Sequence, residues 1–157
     1  MLKAHVFSDF QSAFPMLRSR ACWIYGKFSS FKFVDSEHVK HAVDAIYQCL
    51  FSEYLPVKFQ AANSLSEMLN SDIAVDFLKP ALKNTLEAYL KILEEIDSEE
   101  LINSLEVIMG KYADDIGPYA VQLTQQLTNK YHALVTEDNG DDDDAEEERA
   151  LAATGCV

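Results

Sequence analysis

Apolar residues recur along this chain at helical spacing, and one arrangement returns forty residues later. Leu17-Arg18, Ala21-Cys22, Tyr25 and Phe28 align with Val57-Lys58, Ala61-Ala62, Leu65 and Met68. Both copies run from an apolar–basic pair through small residues to two larger apolar ones. Steps of three and four place these positions on one face of a helix. A weaker third copy lies 44 residues further on, at Leu101, Leu105, Met109 and Tyr112.

The stripes between these copies predict the remaining elements. Leu2, Val6, Phe7 and Phe10 read as a first helix. Pro15 suits the first turn of a second helix, where its missing N–H costs nothing, and this helix runs to about Phe31. Asp35 or Ser36 caps a third helix with Val39, Ala42, Val43, Ile46 and Leu50 inward. Pro56 opens a fourth, ending near Ser71. A short turn from Asp72 is kinked or restarted at Pro80, and Leu82, Leu86, Tyr89, Leu90 and Leu93 continue it to about Ile96. Asp97 and Glu100 have the spacing of a capping box for a sixth helix. Gly117-Pro118 opens a seventh, with Ala120, Leu123, Leu127, Tyr131 and Leu134 on one face. Ala145 to Val157 reads as the first turns of an eighth.

Paired helices with a period of 40–47 residues are the mark of HEAT or armadillo arrays. The expected fold is therefore all-α: an α-solenoid of antiparallel helix pairs, three to four repeats long. A helix pair cannot bury all its apolar faces alone and stacks on its neighbours. The ends of the chain lack the polar faces of capping repeats. Residues 1–136 are thus expected to be an internal piece of a longer solenoid, residues 137–148 an acidic disordered loop, and residues 149–157 the start of a truncated helix. Such an isolated piece is expected to associate through its uncapped ends.

Charge sharpens this picture. The formal net charge is −13, and residues 137–148 hold nine acids and no base. Without those nine, 17 acids face 13 bases, a net of −4. The array itself is mildly acidic, which disfavours nucleic-acid binding, since that needs clustered Lys and Arg. No run of 18 apolar residues predicts a membrane span, and no signal-peptide pattern is present. Cys22, Cys49 and Cys156 are far apart and form no CxxC, so they suggest neither a zinc site nor a disulfide framework. Two buried cysteines in helices and one near the end, in a reducing intracellular compartment, fit this pattern.

Several segments carry a family resemblance. Arg18-Ser19-Arg20-Ala21-Cys22-Trp23, following His5-Val6-Phe7, resembles a stretch of importin-beta-like nuclear transport receptors (karyopherin-beta). Leu55-Pro56-Val57-Lys58 is similar to their entry into the next second helix, and Pro118-Tyr119-Ala120-Val121-Gln122-Leu123 to another helix start. The acidic loop followed by Ala150-Leu151-Ala152-Ala153-Thr154-Gly155-Cys156 matches in order and position. The resemblance runs from about His5 to Val157 and points to a central fragment, in the branch of importin-seven and importin-eight. It implies a right-handed superhelix of HEAT repeats from a receptor that carries cargo through nuclear pores. The partners implied are Ran GTPase in its GTP form, basic cargo proteins and FG-repeat nucleoporins. The implied location is cytoplasm and nucleus. The N-terminal arch with which such receptors bind Ran is absent from these 157 residues.

The acidic loop is the first candidate binding site. Like charges keep such a run extended and solvated, either as an insert with no partner or as a clamp for a basic surface. In the second reading Asp141, Asp142, Asp143, Asp144, Glu146, Glu147 and Glu148 attract Lys and Arg. In the resembling receptors an acidic loop at an inner-face turn contacts Ran. An EF-hand is excluded, because Gly140 at its sixth position would put Val135 where the first ligand belongs. Arg18, Arg20 and Lys58 are expected to bond neighbouring helix ends or acids across the stack, with acidic cargo as the alternative. Trp23, Tyr25, Phe28, Phe31 and Phe33 read as core and inter-repeat packing. A pocket between first helices could accept a Phe, but sequence does not locate it. His38 and His41 read as two histidines on a wet face without zinc spacing. No phosphate loop, GxSxG or HExxH occurs. No catalytic residue, metal or cofactor is assigned, and the expected role is binding, not catalysis. A stand-alone acidic adaptor or chaperone for basic proteins is the alternative.

Overall fold

The computed structural model describes residues 2–31 and 35–119, together with residues 125 and 128. It divides into Met1–Ile116 and Gly117–Val157. In the second unit the described residues form a 3-10 turn, Gly117–Tyr119, with Gln125 and Thr128 helical. The acidic loop, the expected eighth helix, Cys156, Phe33 and most of the expected seventh helix lie outside the described residues.

Seven α-helices are described: α1 (Leu2–His5), α2 (Pro15–Lys27), α3 (Ser36–Cys49), α4 (Leu55–Met68), α5 (Asp72–Leu78), α6 (Leu82–Glu95) and α7 (Glu99–Lys111). The expected first helix is a single turn followed by a 3-10 segment, Phe7–Gln11. A second 3-10 turn, Lys79–Ala81, carries Pro80 and joins α5 to α6, where the sequence places a kink or restart. Helices α3 and α4, and then α6 and α7, form antiparallel neighbours through short connections. The second helices α2, α4 and α7 stack side by side, and α3 packs on α4 and α5. This is an all-α, HEAT-like helical array.

The forty-residue period is visible in the hydrogen bonds. Ser12 and Ser52 each use their hydroxyl to accept from the N–H two residues on, Phe14 at 3.1 Å and Tyr54 at 3.3 Å. The Phe14 carbonyl then accepts from Leu17 and Arg18, and the Tyr54 carbonyl from Val57 and Lys58. Both second helices therefore enter with the same turn, each with a proline in its first two positions. Asp35 caps α3 as expected, accepting from the N–H groups of Glu37 and His38. The capping expectation for α7 is displaced by one residue. Ser98, not Asp97, accepts from Leu101, because the helix starts at Glu99.

Ala21, Cys22 and Tyr25 of α2 and Ala61, Ala62 and Leu65 of α4 are fully buried where the helices meet. Ties between elements follow the stack. Lys27 pairs with Glu67, its counterpart forty residues on, at 2.5 Å. Lys58 pairs with Glu95 at the end of α6, and Lys79 with Asp115 at 2.8 Å. The Tyr112 hydroxyl donates to the Val75 carbonyl at 2.7 Å. The third copy of the repeat holds at Leu101, Leu105 and Tyr112, but Ile108 replaces the half-buried Met109 in the core.

One buried group runs against the pattern. Asn63 is 5% exposed, and neither its amide nitrogen nor its amide oxygen has a hydrogen-bond partner. Burying an unpaired amide costs free energy, about 1–3 kcal/mol in proteins. Asn63→Leu has a similar volume and removes that cost. It is expected to raise the unfolding free energy by about 1–2 kcal/mol in urea denaturation. A loss of stability would mean that the amide is satisfied in solution.

Candidate docking groove

A groove of about 630 Å³ opens between the Phe7–Gln11 segment, the first turn of α2 and the C-terminal half of α3. Its walls follow from the amphipathic reading of α3. Val39, Ala42, Val43 and Ile46 turn into the core. That rotation leaves Ala45 and Gln48 on the flank that lines the groove. Opposite them stand Phe7 and Phe10, with ring centroids 5.7 Å apart and edge to face. Phe10 also lies 5.2 Å from the buried ring of Tyr25, so this wall is anchored in the core. Phe51, in the turn after α3, is 54% exposed at the far edge and packs edge-on against Tyr47 at 5.2 Å.

Arg18 lines the same groove. Its guanidinium carbon lies 5.4 Å from the centre of the Tyr54 ring, and its buried Nε has no hydrogen-bond partner. Asp44 and Glu53 set acidic groups beside Arg18 in the lining, together with the His41 ring. The arrangement suits an extended peptide with an aromatic side chain: rings on two sides, a cation within and a polar lining.

The singled-out residues separate clearly. Lys58 bonds a helix end across the stack, as expected. Arg18 and Arg20 instead lie over aromatic rings, Arg20 at 4.3 Å from Trp23. The aromatic cluster splits: Tyr25 is core, but Phe28 and Phe31 are 43% and 64% exposed. They pack mainly on each other, with centroids 5.4 Å apart. The wet-face reading of the two histidines holds for His41 alone. His38 is buried beneath Phe7, and its Nε2 lies 3.0 Å from the Tyr25 hydroxyl. Burial holds its pKa below the usual histidine value. Cys22 and Cys49 are both buried in helices, as expected. The groove residues Ala45, Gln48 and Phe51 carry no distinguishing sequence signal. Phe51 alone, a bulky aromatic just after a helix, could have suggested an exposed contact.

Among the described residues no cluster of three or more His, Cys, Asp or Glu side chains could hold a metal ion. No helix among them is long and apolar enough to cross a membrane.

Comparison with known proteins places this array in context. The whole chain aligns with the importin beta-like SAD2 homolog of Arabidopsis thaliana at 31% identity. It aligns over its full length with the probable importin-7 homolog of Dictyostelium discoideum at 29%. It matches human importin-8 at 27% over 99% of its residues. The chain is a distant homologue of importin-beta-like proteins. It spans only 14–15% of the length of these curated relatives. The identities lie too close together to select one branch among them. No family model matches the chain, and no solved structure matches it significantly.

Proposed function

We propose that this chain is a segment of a nuclear import receptor that binds protein partners along a HEAT-type array. The observation that carries this reading is the alignment of the whole chain with importin-beta-like proteins, on an array whose second helices stack with the period of the sequence. The importin-seven and importin-eight branch, and shuttling between cytoplasm and nucleus, are part of this proposal. Partners are held reversibly by shape and charge, without catalysis.

Two surfaces divide the work. The acidic loop, with Asp141 to Asp144 and Glu146 to Glu148, attracts Ran in its GTP form or a basic cargo. Single exposed ion pairs contribute only about 0.2–1 kcal/mol, so the loop acts collectively. Its field fades beyond about 8 Å at physiological salt. The groove accepts the phenylalanine of an FG-repeat nucleoporin between Phe7, Phe10 and Phe51.

The test is binding of the chain to Ran loaded with GTP or GDP, at low and physiological salt. Expected is GTP-selective binding that falls about tenfold or more at low salt when the acids of residues 137–148 are made neutral. Loop-dependent binding of basic proteins with no preference for Ran-GTP would favour the stand-alone acidic adaptor instead. In the second arm Gln48→Trp, at an exposed groove position, is expected to abolish capture of FG peptides while leaving the thermal melt unchanged. Unaltered FG capture would remove the groove from the proposal.

A further inference from the structure

Arg18 and Lys58 hold equivalent places in successive repeats, in the first turns of α2 and α4. Lys58 is closed by a carboxylate: it pairs with Glu95, the last residue of α6. Helix α3 has the same length as α6, 14 residues, and its last residue is Cys49. The helix end that would supply Arg18 with an acid therefore has none, and Arg18 and Cys49 both line the groove. Among the described residues Arg18 forms no ion pair. Its guanidinium lies over the Tyr54 ring, 5.4 Å from the centre, and its buried Nε has no hydrogen-bond partner. The groove opens where the second repeat has a closed ion pair and the first has an open one.

A buried N–H without an acceptor costs free energy until something accepts from it. The acceptor that fits a guanidinium fork is a carboxylate. Asp44 and Glu53 do not fill that role: both are exposed, and neither pairs with Arg18. They stand at the wet edge of the groove, where they favour a cation. We propose that the groove selects an extended peptide that carries an acidic side chain beside its phenylalanine, held by Arg18, and a basic side chain further out, held by Asp44 and Glu53. The inference rests on the reading of the groove as a peptide-docking site and adds the charge pattern that the site selects.

The peptide's acid takes toward Arg18 the place that Glu95 takes toward Lys58. Stacking on Tyr54 holds the guanidinium plane, so little side-chain freedom is lost when the acid arrives. The two charged contacts are unequal. Arg18 is half-buried, so its pair with the acid is only partly screened by solvent. Pairs with the exposed Asp44 and Glu53 are weak and salt-sensitive. The acid therefore carries most of the discrimination, and the base sets the direction of the chain. A peptide with the two charges exchanged puts its acid against Asp44 and Glu53 and its base against Arg18, and is rejected by repulsion at both ends.

The experiment titrates the full 157-residue chain into fluorescent peptides that hold a phenylalanine, an aspartate and a lysine at varied spacing, and reads anisotropy. In the tightest binder, asparagine for aspartate is expected to weaken binding about tenfold or more, and glutamine for lysine about two- to fivefold. Arg18→Gln is expected to erase the preference for aspartate over asparagine. Cys49→Glu places a carboxylate where α6 has Glu95, and is expected to weaken the aspartate peptide about tenfold by closing Arg18 from within. The peptide comparison on the unaltered chain needs no variant to fold. Equal binding of the aspartate and asparagine peptides, blocked by Gln48→Trp, would overturn the charge pattern and leave the docking groove standing. An aspartate preference that survives Arg18→Gln would overturn the role of Arg18. No binding of any phenylalanine peptide would overturn both the charge pattern and the groove.

Discussion

Tyr89→Ala is expected to lower the unfolding free energy by about 3–5 kcal/mol, the cost of emptying a buried aromatic site. Tyr89 lies on α6 and is fully buried. Its hydroxyl donates to the Ala62 carbonyl of α4 at 2.5 Å. One side chain therefore ties α6 to α4, and burial keeps its hydroxyl protonated and donating by raising its pKa. Tyr89→Phe separates ring from hydroxyl. It keeps the packing, leaves a backbone carbonyl less well satisfied, and is expected to cost about 1–2 kcal/mol. Chemical denaturation of both variants checks this. Equal losses for Phe and Ala would assign the whole effect to the hydroxyl and refute the packing argument.

Gly26→Leu is expected to cost about 3 kcal/mol, although leucine is the better helix former. A Cβ at Gly26 would lie 2.3 Å from a carboxylate oxygen of Glu67 and 3.0 Å from the Ser64 Cα. Glu67 can swing away, at the loss of its bond to Lys27. The α4 backbone at Ser64 cannot move without separating the two helices. Gly26→Ala gains up to about 1 kcal/mol in helix propensity against that crowding, so its net loss is expected to be under about 1 kcal/mol. A Gly26→Leu chain as stable as the parent would show that α2 and α4 do not approach closely at this position.

Much of the array was legible because its signals are local. Pro15 and Pro56 open helices whatever packs on them. Asp35 caps α3 because its carboxylate reaches N–H groups two and three residues away. The recurrence at Ala21 and Ala61, and at Tyr25 and Leu65, marks a contact face because stacked repeats must match at equivalent positions. The errors share a cause. The N-cap of α7 falls on Ser98 because the frame of that helix is set by burying Leu101, Leu105 and Ile108, not by the capping pair alone. Phe28 and Phe31 lie near the surface because α2 ends at Lys27 and the turn carries them away from the stack. His38 is buried because the Phe7–Gln11 segment folds over it, an event its own helix does not encode.

Sequence alone determined the helical class, the repeat period, the positions of the second helices and the concentration of charge in residues 137–148. Each of these depends on interactions spanning a few residues or on composition. Tertiary structure alone decided the groove between the Phe7–Gln11 segment and α3 and the close approach at Gly26. Each joins residues more than twenty positions apart, and their meeting depends on how two helices rotate and how closely they pack. Side-chain volumes summed over the whole interface set that geometry, and no local pattern carries it.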